Sequence, residues 1–75
     1  MENFVEVYVL LTDEIVPVWR PVLAMKIQED IYEILSNQKV SAYEEWEFQP
    51  GTRVRVESAI SDGQVYLRAI KEVSL

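Results

Sequence analysis

The side chains of this sequence limit the chemistry that it can perform. Among its 75 residues there is no histidine and no cysteine, so the commonest general bases, nucleophiles and ligands of zinc, iron and copper are missing. The remaining candidates for acid–base chemistry are carboxylates, and Glu44, Glu45 and Glu47 cluster around Trp46. Runs of charge are usually solvated, and so short a chain leaves little room for a closed pocket. We therefore interpret the cluster as an exposed acidic loop and predict no catalytic residue and no enzyme.

Carboxylates can also bind calcium or magnesium. The acidic pairs Asp13 with Glu14 and Glu29 with Asp30 are far apart in the sequence, and neither has the regular spacing of oxygen ligands found in an EF-hand loop. The sequence therefore predicts no metal and no cofactor.

Aromatic and basic side chains offer a binding chemistry instead. Trp19 and Arg20 place an indole beside a guanidinium, two flat groups that are enriched in interface hot spots. The alternative is that Trp19 fills one end of the core and that Arg20 pairs with a nearby acid. Trp46 and Phe48 are better explained as core residues.

The charge of the chain argues against two classes of partner. Thirteen acidic and seven basic side chains give a net charge of −6, which repels phosphate backbones and anionic lipids. No window holds the roughly 18 apolar residues that span a bilayer, and the N-terminus lacks the basic start of a secretion signal. We expect no nucleic-acid binding, no membrane binding and a cytoplasmic location.

The elements that must position these side chains are strands of a single domain, residues 1–75. β-branched and aromatic residues dominate, and turn signals recur at short intervals. The first strand is predicted at 4–11, with its inward face formed by Val5, Val7, Val9 and Leu11. A stiff loop bracketed by Pro17 and Pro21 should then resist ladder pairing.

The clearest local signal is a hairpin near the C-terminus. Asp62 and Gly63 lie between two alternating segments and predict a two-residue type I′ turn. Counting outward from this turn pairs Val56 with Ala69 and Val54 with Lys71. The predicted apolar face consists of Val54, Val56, Ile60, Val65, Leu67 and Ala69.

The other face of this hairpin carries Arg53, Arg55 and Arg68 with Tyr66. The same register sets Glu57 opposite Arg68, Arg53 opposite Glu72 and Arg55 opposite Ile70. Because two of the three arginines are paired in this way, we do not interpret the face as a nucleic-acid patch.

A second hairpin is predicted between 22–27 and 31–35, and its register is open. A tight turn at Glu29 and Asp30 sets Lys26 opposite Glu33 and puts Leu23, Met25, Ile27, Tyr32 and Ile34 inside. A one-residue bulge near Lys26 instead turns Val22 and Ala24 inward and exposes Leu23 and Met25.

Three shorter signals occupy the segment between the hairpins. Residues 41–44 have the spacing of a capping box and predict at most a single helical turn. Residues 46–48 alternate like a short strand, and Pro50 with Gly51 suits a type II turn that leads into a strand at 52–61. Five short strands in this order predict an all-β fold, a small barrel.

Two segments carry a resemblance to a known group. Residues 18–22, VWRPV, and 45–51, EWEFQPG, resemble the two signatures of very short, uncharacterised bacterial proteins that form stand-alone SH3-like barrels. The resemblance extends from Val7 to about Val73 and implies that fold, with no biochemical role attached. Leu23 and Met25 stand where similar sequences should carry polar residues, which favours the bulged register and implies an apolar patch on the second strand.

These observations lead to two functional hypotheses. The first is a non-enzymatic binding or adaptor module that acts through protein–protein contacts at the second strand or the Trp19 loop, including self-association as a homodimer. The alternative is an acidic immunity- or antitoxin-like inhibitor whose carboxylates, those of Asp13 and Glu14 included, mimic phosphates toward a basic enzyme. The candidate partner-binding residues are Trp19, Arg20, Leu23, Met25, Glu44, Glu45 and Glu47.

Overall fold

A computed structural model describes residues 4–74 of the chain; residues 1–3 and 75 of the predicted domain lie outside the described residues. The strands are β1 (Phe4–Leu10), β2 (Trp19–Gln28), β3 (Ile31–Ile34), β4 (Arg53–Ser61) and β5 (Gln64–Glu72). They form a closed barrel in chain order, and within residues 4–74 only the closing contact between β5 and β1 is parallel. The predicted all-β, five-stranded SH3-like barrel is confirmed.

The core lies inside this barrel and follows the alternation of the strands. On β1, Val7 and Val9 are fully buried, and Leu11 just after the strand is buried as well. Val5 faces the same way but is 36% exposed near the start of the strand. The rest of the buried cluster consists of Val22, Ala24, Tyr32, Ile34, Trp46, Val54, Val56 and Ala69.

The register between β2 and β3 contains the bulge. Lys26 pairs with Tyr32 and Gln28 pairs with Ile31, so one extra residue of β2 is accommodated between them. Val22 and Ala24 are therefore buried. The alternative register, which set Lys26 opposite Glu33 and put Leu23 and Met25 inside, is wrong.

β2 begins earlier than its apolar pattern indicates. The strand starts at Trp19, and Pro21 pairs with Tyr8 of β1, so the expectation that Pro21 resists ladder pairing is wrong. β3 pairs with β2 only from Ala24 onward. Pro21 thus occupies a part of β2 with an open side, where a missing N–H costs no ladder bond.

The turn between β4 and β5 is as predicted. Asp62 and Gly63 have φ values of 53° and 77°, which is the backbone of a type I′ turn. The predicted register holds from the turn as far as Val56 opposite Ala69. Both of these residues are buried, so the inner wall that the turn was expected to build is confirmed.

Two details of this hairpin differ from the prediction. A bulge between Arg55 and Val56 shifts the register, so Val54 pairs with Glu72 and Arg55 with Lys71, and the pairs predicted for 53–55 are wrong. Ile60 and Val65 were expected inside but are 76% and 66% exposed. β3 pairs only with residues 53–55 of β4, so the tip of the hairpin projects beyond the core.

The segment 35–52 contains turns and no regular element. The N–H of Glu44 donates to the Ser41 carbonyl at 3.1 Å in a simple turn, so the predicted helical turn is not formed. The predicted strand at 46–48 is reduced to one bridge between Trp46 and Leu11.

The type II turn that leads out of this segment is confirmed. Gly51 has a φ of 93°, and the N–H of Thr52 donates to the Gln49 carbonyl at 3.1 Å. Within residues 4–74 there is no helix long and apolar enough to cross a membrane.

Candidate binding site

An open cleft of about 450 Å³ lies on the outside of the barrel. It collects side chains from four strands, β1, β2, β4 and β5. The lining residues are Tyr8, Trp19, Ala59, Ile60, Ser61, Tyr66 and Arg68. We refer to it as the aromatic cleft.

The strand pattern explains why three aromatic rings lie outside the core. Tyr8 stands between Val7 and Val9, which are fully buried, so it points outward. Tyr66 and Arg68 flank Leu67 on β5, which packs against the core. The parallel closing contact pairs Tyr8 directly with Arg68, and this contact brings the outer faces of β1 and β5 together.

The cleft side chains are packed against one another. The rings of Tyr8 and Tyr66 have centroids 5.2 Å apart and an interplanar angle of 86°, an edge-to-face pair. The Arg68 guanidinium carbon lies 5.4 Å from the Trp19 ring centroid. Contacts of each kind contribute on the order of 0.5–1 kcal/mol. The walls of the cleft are therefore partly ordered by their own contacts.

Arg68 retains hydrogen-bonding capacity in this arrangement. One terminal nitrogen lies 3.5 Å from Glu57 Oε1, which is a long and weak contact. Its Nε is buried and has no hydrogen-bond partner among the described residues. A guanidinium has five N–H donors, and the Arg68 side chain is 38% exposed, so its terminal N–H groups can donate to oxygen atoms of a ligand at the cleft.

Trp19 and Arg20, the indole and the guanidinium that the sequence offered for binding, have separate roles. Trp19 is only partly buried and lines the aromatic cleft, so the interpretation that it fills the end of the core is wrong. Arg20 lies 3.5 Å from Glu44 Oε1, and pairing with a nearby acid is confirmed. The same oxygen accepts a hydrogen bond from Trp46 Nε1 at 3.1 Å, so this contact fastens the start of β2 to the buried tryptophan.

Leu23 and Met25 lie on the outer face of β2, away from the aromatic cleft. They pair with Glu6 and Phe4 of β1. Leu23 is 45% exposed and Met25 is partly buried. The apolar patch that the resemblance implied is therefore present on the second strand, although it does not join the residues of the cleft.

The carboxylates of the 44–47 segment do not form a common site. Glu45 Oε1 accepts a hydrogen bond from the Thr12 hydroxyl at 2.9 Å, and Glu44 is engaged by Trp46 and Arg20. The side chain of Glu47 is exposed. In the described part of the chain, no three carboxylates lie close enough together to hold a metal ion.

The remaining arginines of β4 are paired with acids of the neighbouring hairpin. Arg53 Nε lies 3.0 Å from Glu33, and Arg55 lies 2.8 Å from Asp30. The predicted partner of Arg53 was Glu72, which the bulge displaces. Each of the three arginines of this face thus has an acidic neighbour.

The sequence predicts some of the residues that line the cleft but not the contact that brings them together. Trp19 was singled out, and the register of the last hairpin placed Tyr66 and Arg68 on one face. Tyr8 was missed as a site residue although its outward direction followed from the alternation of β1. The missing signal is the contact between β5 and β1, because no turn connects these strands and nothing in the sequence fixes their register.

Comparison of the chain with family models, with curated proteins and with solved structures found no match. The site is therefore interpreted from its own chemistry.

Proposed function

We propose that this protein is a small non-enzymatic binding module that captures an extended segment of a partner protein in the aromatic cleft. The observation that carries the proposal is the meeting of three aromatic rings and one partly exposed guanidinium in a single open cleft.

The composition of the cleft suits protein recognition. Tryptophan, tyrosine and arginine are the residues most enriched in binding hot spots. Tryptophan and tyrosine offer large contact areas at low cost in side-chain entropy, since only two torsions of each side chain must be fixed. Phenolic and guanidinium groups at the same place provide directional hydrogen bonds, as binding sites usually combine apolar walls with a few polar groups.

The class of ligand follows from the same groups. Proline-rich segments adopt a preformed extended helix and dock in grooves lined by aromatic residues, and SH3 domains use this mode. Backbone carbonyls of such a segment remain free to accept hydrogen bonds, and Arg68 has donors to offer. We therefore expect a proline-containing, extended peptide as the ligand.

The proposal can be tested by titrating the full chain with a synthetic peptide of PxxP spacing while recording NMR spectra. We expect the largest shift changes at the Trp19 indole N–H and at the Tyr8 and Tyr66 rings. Trp19→Ala and Tyr66→Ala should each weaken binding at least about tenfold, which is the usual effect of removing a hot-spot aromatic. Tyr43→Ala is the matched control, because Tyr43 is 89% exposed and lies outside the cleft.

Two outcomes would contradict the proposal. One is peptide binding that neither cleft variant weakens. The other is salt-sensitive binding to a basic protein, with shift changes at Asp13, Glu14 and Glu47 in place of the cleft residues. The second outcome would favour the inhibitor hypothesis.

A further inference from the structure

The outer edge of β4 is a second surface feature, which adjoins the proposed peptide site because Ala59, Ile60 and Ser61 also line the aromatic cleft. β3 pairs with β4 only as far as Arg55, and the last bond on that side runs from the Val56 N–H to the Asp30 carbonyl at 2.9 Å. Farther along, β4 continues to Ser61 with β5 as its only partner strand in the described part of the chain. Residues 57–61 therefore form an open strand edge.

The direction of the polar groups on this edge follows from the geometry of the ladder. In an antiparallel pair, residues alternate between those that bond to the partner strand and those whose N–H and C=O point away from it. The Val56 N–H points away from β5, toward Asp30. Along the same strand, Ser58 and Ile60 must point the same way, so their backbone groups face outward.

We propose that this edge pairs with the same edge of a second copy of the chain, in an antiparallel register centred on Ala59. In this register the outward groups of Ser58 in one copy meet those of Ile60 in the other. Both residues of both copies then form backbone hydrogen bonds, and the two β4–β5 hairpins join into one sheet.

Only this symmetric register uses both outward residues. A register centred on Ser58 would require the N–H of Val56, which is already bonded to Asp30. A register centred on Ile60 would require Asp62, which belongs to the turn and has a φ of 53°. The edge thus fits a copy of itself in one way, which is the reason for assigning a second copy as the occupant.

The side chains agree with the same register. Ala59 faces Ala59 at a position where the Cα atoms approach to about 4.5 Å and small side chains fit best. Glu57 faces Ser61, so no like charges stand directly opposite each other. The edge contains neither proline nor lysine, the residues with which natural edge strands prevent pairing.

The proposed interface also explains the exposed apolar tip of the hairpin. Ile60 and Val65 are 76% and 66% exposed on the face that continues the core. Joining two hairpins places Ile60 and Val65 of both copies on one side of a continuous sheet, where the apolar side chains of one copy cover those of the other. Exposed apolar surface of this kind is typical of an interaction site.

The test is sedimentation velocity on the full chain from micromolar to millimolar concentration. We expect a monomer–dimer equilibrium, with concentration-dependent hydrogen-exchange protection of the Ser58 and Ile60 amides. Ile60→Lys should abolish the dimer. Ile15→Lys is the matched control, because it changes the charge equally at a side chain that is fully exposed in the 12–18 loop, and it should leave the dimer intact.

Ser58→Pro is the second variant, since it removes an outward N–H without touching the residues that line the cleft. If this variant fails to fold, the protection of the two amides in the unmodified chain decides. A chain that stays monomeric throughout, or a dimer that persists in both edge variants, overturns the proposal. Shifts of the Ser58 and Ile60 amides caused by an added extended peptide, with no dimer, would assign the edge to a foreign strand and overturn it as well. None of these results depends on the cleft variants Trp19→Ala and Tyr66→Ala.

Discussion

Two strands of this barrel continue past the neighbour that pairs with them, and the chain treats the two exposed edges differently. On β2, the Leu23 N–H donates to Gln38 Oε1 at 2.8 Å, and Gln38 Nε2 donates back to the Leu23 carbonyl at 2.8 Å. On β4, no strand or side chain among the described residues covers Ser58 and Ile60 in this way. A side chain therefore covers the edge of β2 at Leu23, whereas the edge of β4 at Ser58 and Ile60 stays open.

The carboxamide of Gln38 can close an edge because it resembles a peptide group. It presents one acceptor and one donor side by side, so it completes the Leu23 N–H and shares the Leu23 carbonyl with the Leu35 N–H, which donates to the same oxygen at 3.0 Å. Its nitrogen also donates to the Leu35 carbonyl at 2.9 Å, which fixes the amide at the end of β3. Gln38 of the segment 35–52 thus bonds to β2 at a position that no strand residue of β3 reaches.

The largest expected effect comes from removing the residue that anchors this segment. Trp46 is buried and forms the bridge to Leu11, so Trp46→Ala should release the segment and, with it, the cover over Leu23. Truncation of a buried aromatic costs about 3–5 kcal/mol, which is a large part of the stability of so small a domain. Urea unfolding followed by far-ultraviolet circular dichroism measures the change.

Trp46→Phe is the control for this prediction. It keeps a buried ring and removes the hydrogen bond to Glu44, so we expect a loss of about 1–2 kcal/mol. Equal losses for the two variants would show that the indole N–H, and not ring burial, anchors the segment.

An intermediate effect is expected when the cover itself is removed. Gln38→Ala deletes three hydrogen bonds and leaves the Leu23 N–H to water, for a loss of about 1–3 kcal/mol in the free energy of unfolding. Gln38→Glu keeps the acceptor for the Leu23 N–H but loses the donors. Its free energy of unfolding should lie between those of the unmodified chain and Gln38→Ala. Hydrogen exchange at the Leu23 amide should accelerate in Gln38→Ala, and an unchanged rate would show that Gln38 does not close this edge.

The smallest effect is expected at the open edge, at concentrations where the chain is monomeric. Ser58→Pro removes an N–H that bonds to nothing within the described residues, so we expect a loss below about 1 kcal/mol. Leu23→Pro is the matched change at the closed edge and should cost about 1–3 kcal/mol, because it leaves Gln38 Oε1 without its donor. Equal losses from the two prolines would remove the distinction between the edges.

Local rules predicted the turns of this fold well. Asp62 with Gly63, and Pro50 with Gly51, are short-range signals in which the residue types themselves require the backbone geometry. The bulge between Arg55 and Val56 has no such signal, since both neighbouring registers alternate equally well. For that reason the register was correct near the turn and wrong beyond the bulge.

The candidate site was less predictable than the fold. Trp19 could be singled out by its residue type, while the role of Tyr8 depends on the closing contact with Arg68. Contacts between the first and last strands depend on the curvature of the whole barrel. The apolar surplus on β2 was a stronger sequence signal, yet Leu23 and Met25 lie outside the cleft.

The pairing of Tyr8 with Arg68 closes the barrel, and both residues also form the wall of the aromatic cleft. A ligand held there would bridge the two strands that close the barrel, which among the described residues share one parallel residue pair. Binding at the cleft and thermal stability are therefore linked through the contact between β1 and β5. A peptide that bridges these two strands should raise the melting temperature, and a peptide that binds more tightly should raise it further.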